Sequence, residues 1–214
     1  MKAVVFTGGE IKNYEKVRKY TVKTDLIICA DSGVRHAFSM NVKPDILVGD
    51  LDSISCEDRK KIEELGTKIV KFPKEKDYTD TELAICEALK MGTSEVVLLG
   101  ALGGRPDHSL ANVFLMVSFK EKGLELKLAD ENWEMFVIDK KVEIPGEKGD
   151  ILSLIPLTPK VQDVKTGGLY YPLKGETLVM GPARGISNVF VENVATVSIK
   201  DGLLLVIKLT EPKS

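Results

Sequence analysis

Residues 48–54 read VGDLDSI, two aspartates one residue apart immediately after the apolar run ILV. In extended backbone, residues two apart project to one face, so Asp50 and Asp52 are placed to hold one cation from one side. Magnesium suits such a pair, because it takes oxygen ligands, keeps several waters and completes its shell with substrate phosphates. The stretch EKDYTDTELA, 75–84, offers a third carboxylate as Asp77 or Asp80. Asp31 follows LIICA, and Asp107 follows EVVLLG and a glycine-rich turn. A lone aspartate is more often a turn or helix-cap residue, and a lone DxD is a weak signal. Like charges gathered on one edge cost free energy unless a cation sits among them. The set therefore says more than any member.

A second chemical stretch is GALGGRPDHSLAN, 100–112. Strand, glycines and then a helix start let backbone N–H groups approach phosphate, with the helix terminus adding positive potential. It is neither a Walker A sequence nor a dinucleotide fingerprint, since the glycine spacing is wrong and no Gly-Lys-Ser/Thr follows. Gly103 and Gly104 make the turn, and Arg105 beside them can offer phosphate oxygens a fork of donors. His108 is a candidate substrate or nucleotide contact. His36, the other histidine, falls on an expected helix after Asp31 and reads as solvent-facing or structural. No Ser-His-Asp or Cys-His pattern is present.

The elements that must position these residues have two rhythms. Strands are expected at 3–6, 26–30, 45–49, 67–72 and 95–100, separated by amphipathic stretches. One helix should begin at Thr79, where TDTE has the form of a capping box, and stop near Gly92; another should run from about Asp107 to Gly123. Apolar strands alternating with helices predict an α/β domain with a mostly parallel, Rossmann-like sheet. After about residue 125 the runs ELKLAD, WEMFVID, KVEI, ILSLI and GLLLVIKL are short and divided by turn residues. They predict an all-β domain, an antiparallel β-sandwich or barrel. The expected domains are 1–126 and 127–214.

Composition narrows the function classes. The chain of 214 residues is 43% hydrophobic and 29% charged, with net charge −2. That balance gives no field for nucleic acid or anionic membrane. No segment approaches the roughly 18 apolar residues of a membrane span. The start MKAVVFTGGE is too short an apolar stretch for a signal peptide. Cys29, Cys56 and Cys86 are odd in number and far apart, suggesting neither disulfides nor zinc. Cytoplasm is the expected location.

Taken together, ADSG (30–33), PDILVGDLDSI (44–54), EKDYTDTELA (75–84), GALGGRPDHSLANV (100–113), GLYYPL (168–173) and GISN (185–188) resemble the motifs of the thiamin pyrophosphokinase family, in the family's order. The resemblance implies an α/β domain followed by a β-sandwich, working as a homodimer. It implies transfer of the terminal pyrophosphoryl unit of ATP to thiamin, giving thiamin diphosphate and AMP. By position, Asp50, Asp52 and Asp80 correspond to magnesium ligands. Gly103, Gly104, Arg105, Asp107 and His108 correspond to ATP contacts, with Asp31 and Asp77 nearby. Tyr170 or Tyr171 would offer an aromatic face to the cationic ring of thiamin, and Ser187 and Asn188 hydrogen bonds to its pyrimidine. The chain departs from the family pattern at Ser32, where a second glycine is usual, and at Val189, where glutamate is. Two other classes are weighed against this: a non-catalytic thiamin- or nucleotide-binding module, and a magnesium-dependent nucleotide hydrolase.

Overall fold

A computed structural model describes residues 1–73, 75 and 77–210. Lys76, within the EKDYTDTELA stretch, lies outside the described residues. The chain forms two compact units, 1–131 and 132–214.

In the first unit, β1 (Lys2–Phe6), β2 (Leu26–Ala30), β3 (Ile46–Gly49), β4 (Lys68–Lys71), β5 (Glu95–Leu99) and β6 (Glu125–Ala129) form an all-parallel sheet in the order β6-β5-β1-β2-β3-β4. Every residue of β2 and β3 is buried, as expected of a parallel strand covered on both faces. The edge strand β4, KIVK, has half-buried Ile69 and Val70 between exposed lysines at both ends. The helices are α1 (Tyr14–Val17), α2 (Val34–Ser39), α3 (Cys56–Glu64), α4 (Asp80–Lys90) and α5 (Pro106–Glu121).

The TDTE signal does what it promises at one end. The Thr79 hydroxyl accepts the Glu82 backbone N–H at 3.1 Å and caps α4. Gly92, at φ 82°, follows the last turn in the left-handed region. Helix α5 starts one residue before the expected Asp107, because Pro106 fits the first helical position. ELKLAD, read as the head of the all-β half, instead supplies β6, which pairs in parallel with β5 from Glu95↔Glu125 to Leu99↔Ala129. The seam accordingly falls after Glu131 rather than at 126.

The second unit is antiparallel throughout. One sheet takes the order β12-β9-β14-β7 from β7 (Trp133–Ile138), β9 (Ile151–Pro156), β12 (Asn188–Val189) and β14 (Leu204–Leu209). The other takes the order β11-β10-β13-β8 from β8 (Val142–Pro145), β10 (Lys160–Gly167), β11 (Lys174–Val179) and β13 (Val194–Ser198). Leu154, Val161, Leu178, Phe190, Val197 and Val206 meet in its core. Both parts of the expected fold class are thus present. Among the described residues no helix is long and apolar enough to cross a membrane.

Candidate functional site

The strand order fixes where a ligand can bind in the first unit. The connection from β1 leads to β2 on one side, whereas β5 leads to β6 on the other. Such a switch point leaves a crevice outside the carboxyl ends of the two strands. A cleft of about 560 Å³ lies there, within the range of small-molecule sites.

One wall is the expected turn, with Gly103, Gly104, Arg105 and His108. The other is the TGGE loop, residues 7–10, which the sequence reading passed over. The two loops meet backbone to backbone. Gly9 N–H donates to Gly100 O at 2.9 Å, and a Cβ on Gly9 would stand 2.2 Å from that same oxygen. The Thr7 hydroxyl also donates to the Gly100 carbonyl. Only glycine permits this approach. Helix α5 is tied to the same loop by Asn112, which is buried and donates to Ala101 O at 2.7 Å. A buried polar residue on an otherwise apolar helix face was the signal available for Asn112.

Arg105 and Asp107 form a bidentate pair, Nε–Oδ1 3.2 Å and Nη2–Oδ2 2.5 Å. The guanidinium hydrogen bond holds the Asp107 carboxyl down to about 2. Asp107 does not itself line the cleft; its carboxylate faces Arg105 and fixes that side chain's direction. Thr81 does line it, so the first turn of α4 borders the nucleotide-sized space.

His36 is buried at 3% exposure, which removes the solvent-facing alternative. Its Nε2 lies 2.8 Å from Gly9 O and its Nδ1 2.9 Å from the Tyr14 hydroxyl. A carbonyl only accepts, so Nε2 carries the proton and Nδ1 accepts from Tyr14. Burial pushes the imidazole's pKa down and keeps it neutral.

The carboxylates gather around Asp31, at the end of β2 with φ 46°. Burial pushes its pKa up, a hydrogen bond from Ser53 opposes this, and the charges of Asp80 and Asp50 raise it further. Asp31 Oδ1 is buried without a hydrogen-bond partner. The premise of an extended Asp50-Leu51-Asp52 does not hold. Leu51 is buried at φ 67°, and Asp52 N–H donates to Asp50 Oδ1 at 2.9 Å, so the segment is a turn. Leu51's pull into the core is the physical reason. Asp52 and Asp77 are exposed, and Asp80 is half-exposed at the start of α4.

Hard carboxylate oxygens, an orphaned buried one among them, and mutual repulsion fit a divalent cation such as magnesium. Among the described residues no three His, Cys, Asp or Glu side chains form a cage by themselves. Waters and substrate phosphates would complete the shell, as magnesium commonly requires.

In the second unit, Tyr171 and Asn188 line a pocket of about 310 Å³ with Leu173, Glu176, Arg184 and Ile186. Tyr170 and Tyr171 are 64% and 66% exposed and stack edge to face at 4.8 Å. Asn188 is largely spent on the backbone: Oδ1 accepts from Tyr171 N and Val189 N, each at 2.9 Å, and Nδ2 donates to Tyr171 O at 2.7 Å. It holds Tyr171 in place. Ser187 is exposed at φ 58°, its N–H bonded to Ser153 Oγ. Glu176, 3.1 Å from Arg184, was not foreseen; no motif marks it.

Residues 17–128 match the model of the thiamin pyrophosphokinase catalytic domain, and 137–204 that of its vitamin B1 binding domain. The chain is 28% identical to a thiamine pyrophosphokinase of Bacillus subtilis over 214 residues, covering 99% of this chain and all of the relative. The crystal structure of a thiamine pyrophosphokinase from Bacillus subtilis superposes with TM-score 0.90 at 26% identity, covering 99% of this chain and 100% of the other. That of a thiamin pyrophosphokinase family protein from Enterococcus faecalis gives 0.84 at 28%, with the same coverage.

Proposed function

The chain belongs to the thiamin pyrophosphokinase family, and we infer that it is a transferase moving a pyrophosphoryl group to thiamin, with ATP as the donor. The observation that carries this is that both family models fall in order on the two units, and the first has a cleft of small-molecule size at its switch point.

Transfer of this kind asks the protein mainly for positioning and charge neutralisation. The glycine loops supply close backbone approach to the phosphates, and Arg105, aimed by Asp107, supplies positive charge as AMP leaves. His108 adds a contact in the same wall. We assign Asp50, Asp52 and Asp80 as the holders of magnesium, with Asp31 beside them; when bound, that ion neutralises charge on the ATP oxygens. Asp77 or Asp80 orients the thiamin hydroxyl and accepts its proton. Tyr170 or Tyr171 faces the cationic ring, beside the Glu176–Arg184 ion pair of the same unit.

We assign a cytoplasmic homodimer, with no nucleic-acid or membrane partner. The near-neutral net charge supports the absence of polyanion partners. Leu110 and Phe114, each 60% exposed one turn apart on α5, give a second copy something to cover.

The test is phosphorus NMR of the protein with ATP, magnesium and thiamin, beside a control without thiamin. AMP and thiamin diphosphate should appear together, and only with thiamin present. ADP and phosphate in both tubes would mean a hydrolase. Unchanged ATP would mean a binding module.

A further inference from the structure

Arg35 stands in the wall of the cleft, opposite in sequence and element to Arg105. Its Nη2 donates to Gly8 O at 2.7 Å and to Gly9 O at 3.1 Å. These bonds anchor the guanidinium by one nitrogen and leave its other N–H groups, since the side chain carries five donors. Among the described residues no carboxylate pairs with it, whereas Arg105 is held by Asp107 and Glu10 lies 3.7 Å from Lys12. His36 next to it is neutral and so neither repels an anion nor competes for it. The unneutralised cation of the described wall is therefore Arg35, anchored to the very loop that packs on the second glycine turn. A nucleotide triphosphate brings several negative charges into this space, and a pre-anchored guanidinium loses little freedom on binding them.

We propose that Arg35 is a second phosphate-binding guanidinium of the cleft, gripping the phosphate chain of the nucleotide, with His36 as the residue that positions the Gly8–Gly9 turn beneath it. This rests on the reading of the cleft as the ATP site.

Calorimetric titration of the intact protein with ATP and magnesium, and separately with adenosine, tests it. In Arg35→Met, ATP affinity should fall about 10- to 100-fold, as for loss of a charge-assisted hydrogen bond, while adenosine affinity stays unchanged. Arg35→Lys, which keeps the charge but not the fork, should recover part of the loss. It also carries the comparison should Arg35→Met lose its thermal unfolding transition. Equal weakening of ATP and adenosine would make Arg35 a prop for the turn and overturn the assignment, as would unchanged ATP binding. Wild-type protein that binds no ATP would overturn the reading of the cleft itself, and this assignment with it.

Discussion

At Asp52 the side chain is exposed while its own N–H closes a turn on Asp50, so replacing the carboxylate disturbs charge more than fold. Asp52→Asn should therefore lower turnover by orders of magnitude and leave the thermal midpoint nearly unchanged; near-normal turnover would remove it from the metal site. Asn188 is the opposite case. It is buried at 7% exposure and satisfies three backbone groups. Asn188→Ala should cost about 1–3 kcal/mol in all, because water can reach the backbone of exposed Tyr171, read by chemical denaturation, and raise the KM for thiamin as Tyr171 loosens. A rise in KM without loss of stability would instead indicate direct contact with thiamin. Arg105 keeps Asp107 ionised at any assay pH above about 4, so this pair contributes no pH dependence near neutrality.

Two elements decide one wall of the cleft: the turn after β1 and helix α2, whose His36 and Arg35 hold the turn's carbonyls. The folded-state pKa of His36 lies below its ordinary 6.5. As pH falls through 6.5 the unfolded chain takes up a proton that the folded chain refuses. The stability that neutral His36 contributes is present above that value and drains away as pH falls towards the folded pKa. His36→Gln, which retains an amide donor, should flatten the thermal midpoint against pH below about 6.5. An unchanged slope would mean that other groups govern it. The Thr79 cap starts α4 so that Thr81 borders the cleft, and Pro106 at the first position of α5 leaves Arg105 at that helix's N-cap in the same wall.

At the scale of the molecule, each unit builds its own apolar cluster, around Leu47 in the first and Leu204 in the second. Both leucines are buried to 1% exposure or less. Leu47→Ala and Leu204→Ala should each cost about 2–5 kcal/mol, read from denaturant midpoints with unchanged slope. Losses below 1 kcal/mol would show that the cluster around that leucine collapses to fill the space. A net charge of −2 gives an anionic ligand no long-range attraction.

The sequence by itself determined the two rhythms, the strand ends that carry Asp31 and Asp50, the Thr79 cap and the glycine turn before Arg105. Each follows from side-chain periodicity or local backbone chemistry that acts over a few residues. It also suggested the family, through motifs in a fixed order. The neighbour relation of β1 and β5 was decided by the tertiary structure alone. That relation brings Gly9 onto Gly100 across ninety-odd residues of chain, and with it Thr7, Arg35 and His36 into the cleft. The turned DLD segment was hidden for the same reason. Leu51 is buried in a core built from distant strands, and with it the segment turns instead of running extended.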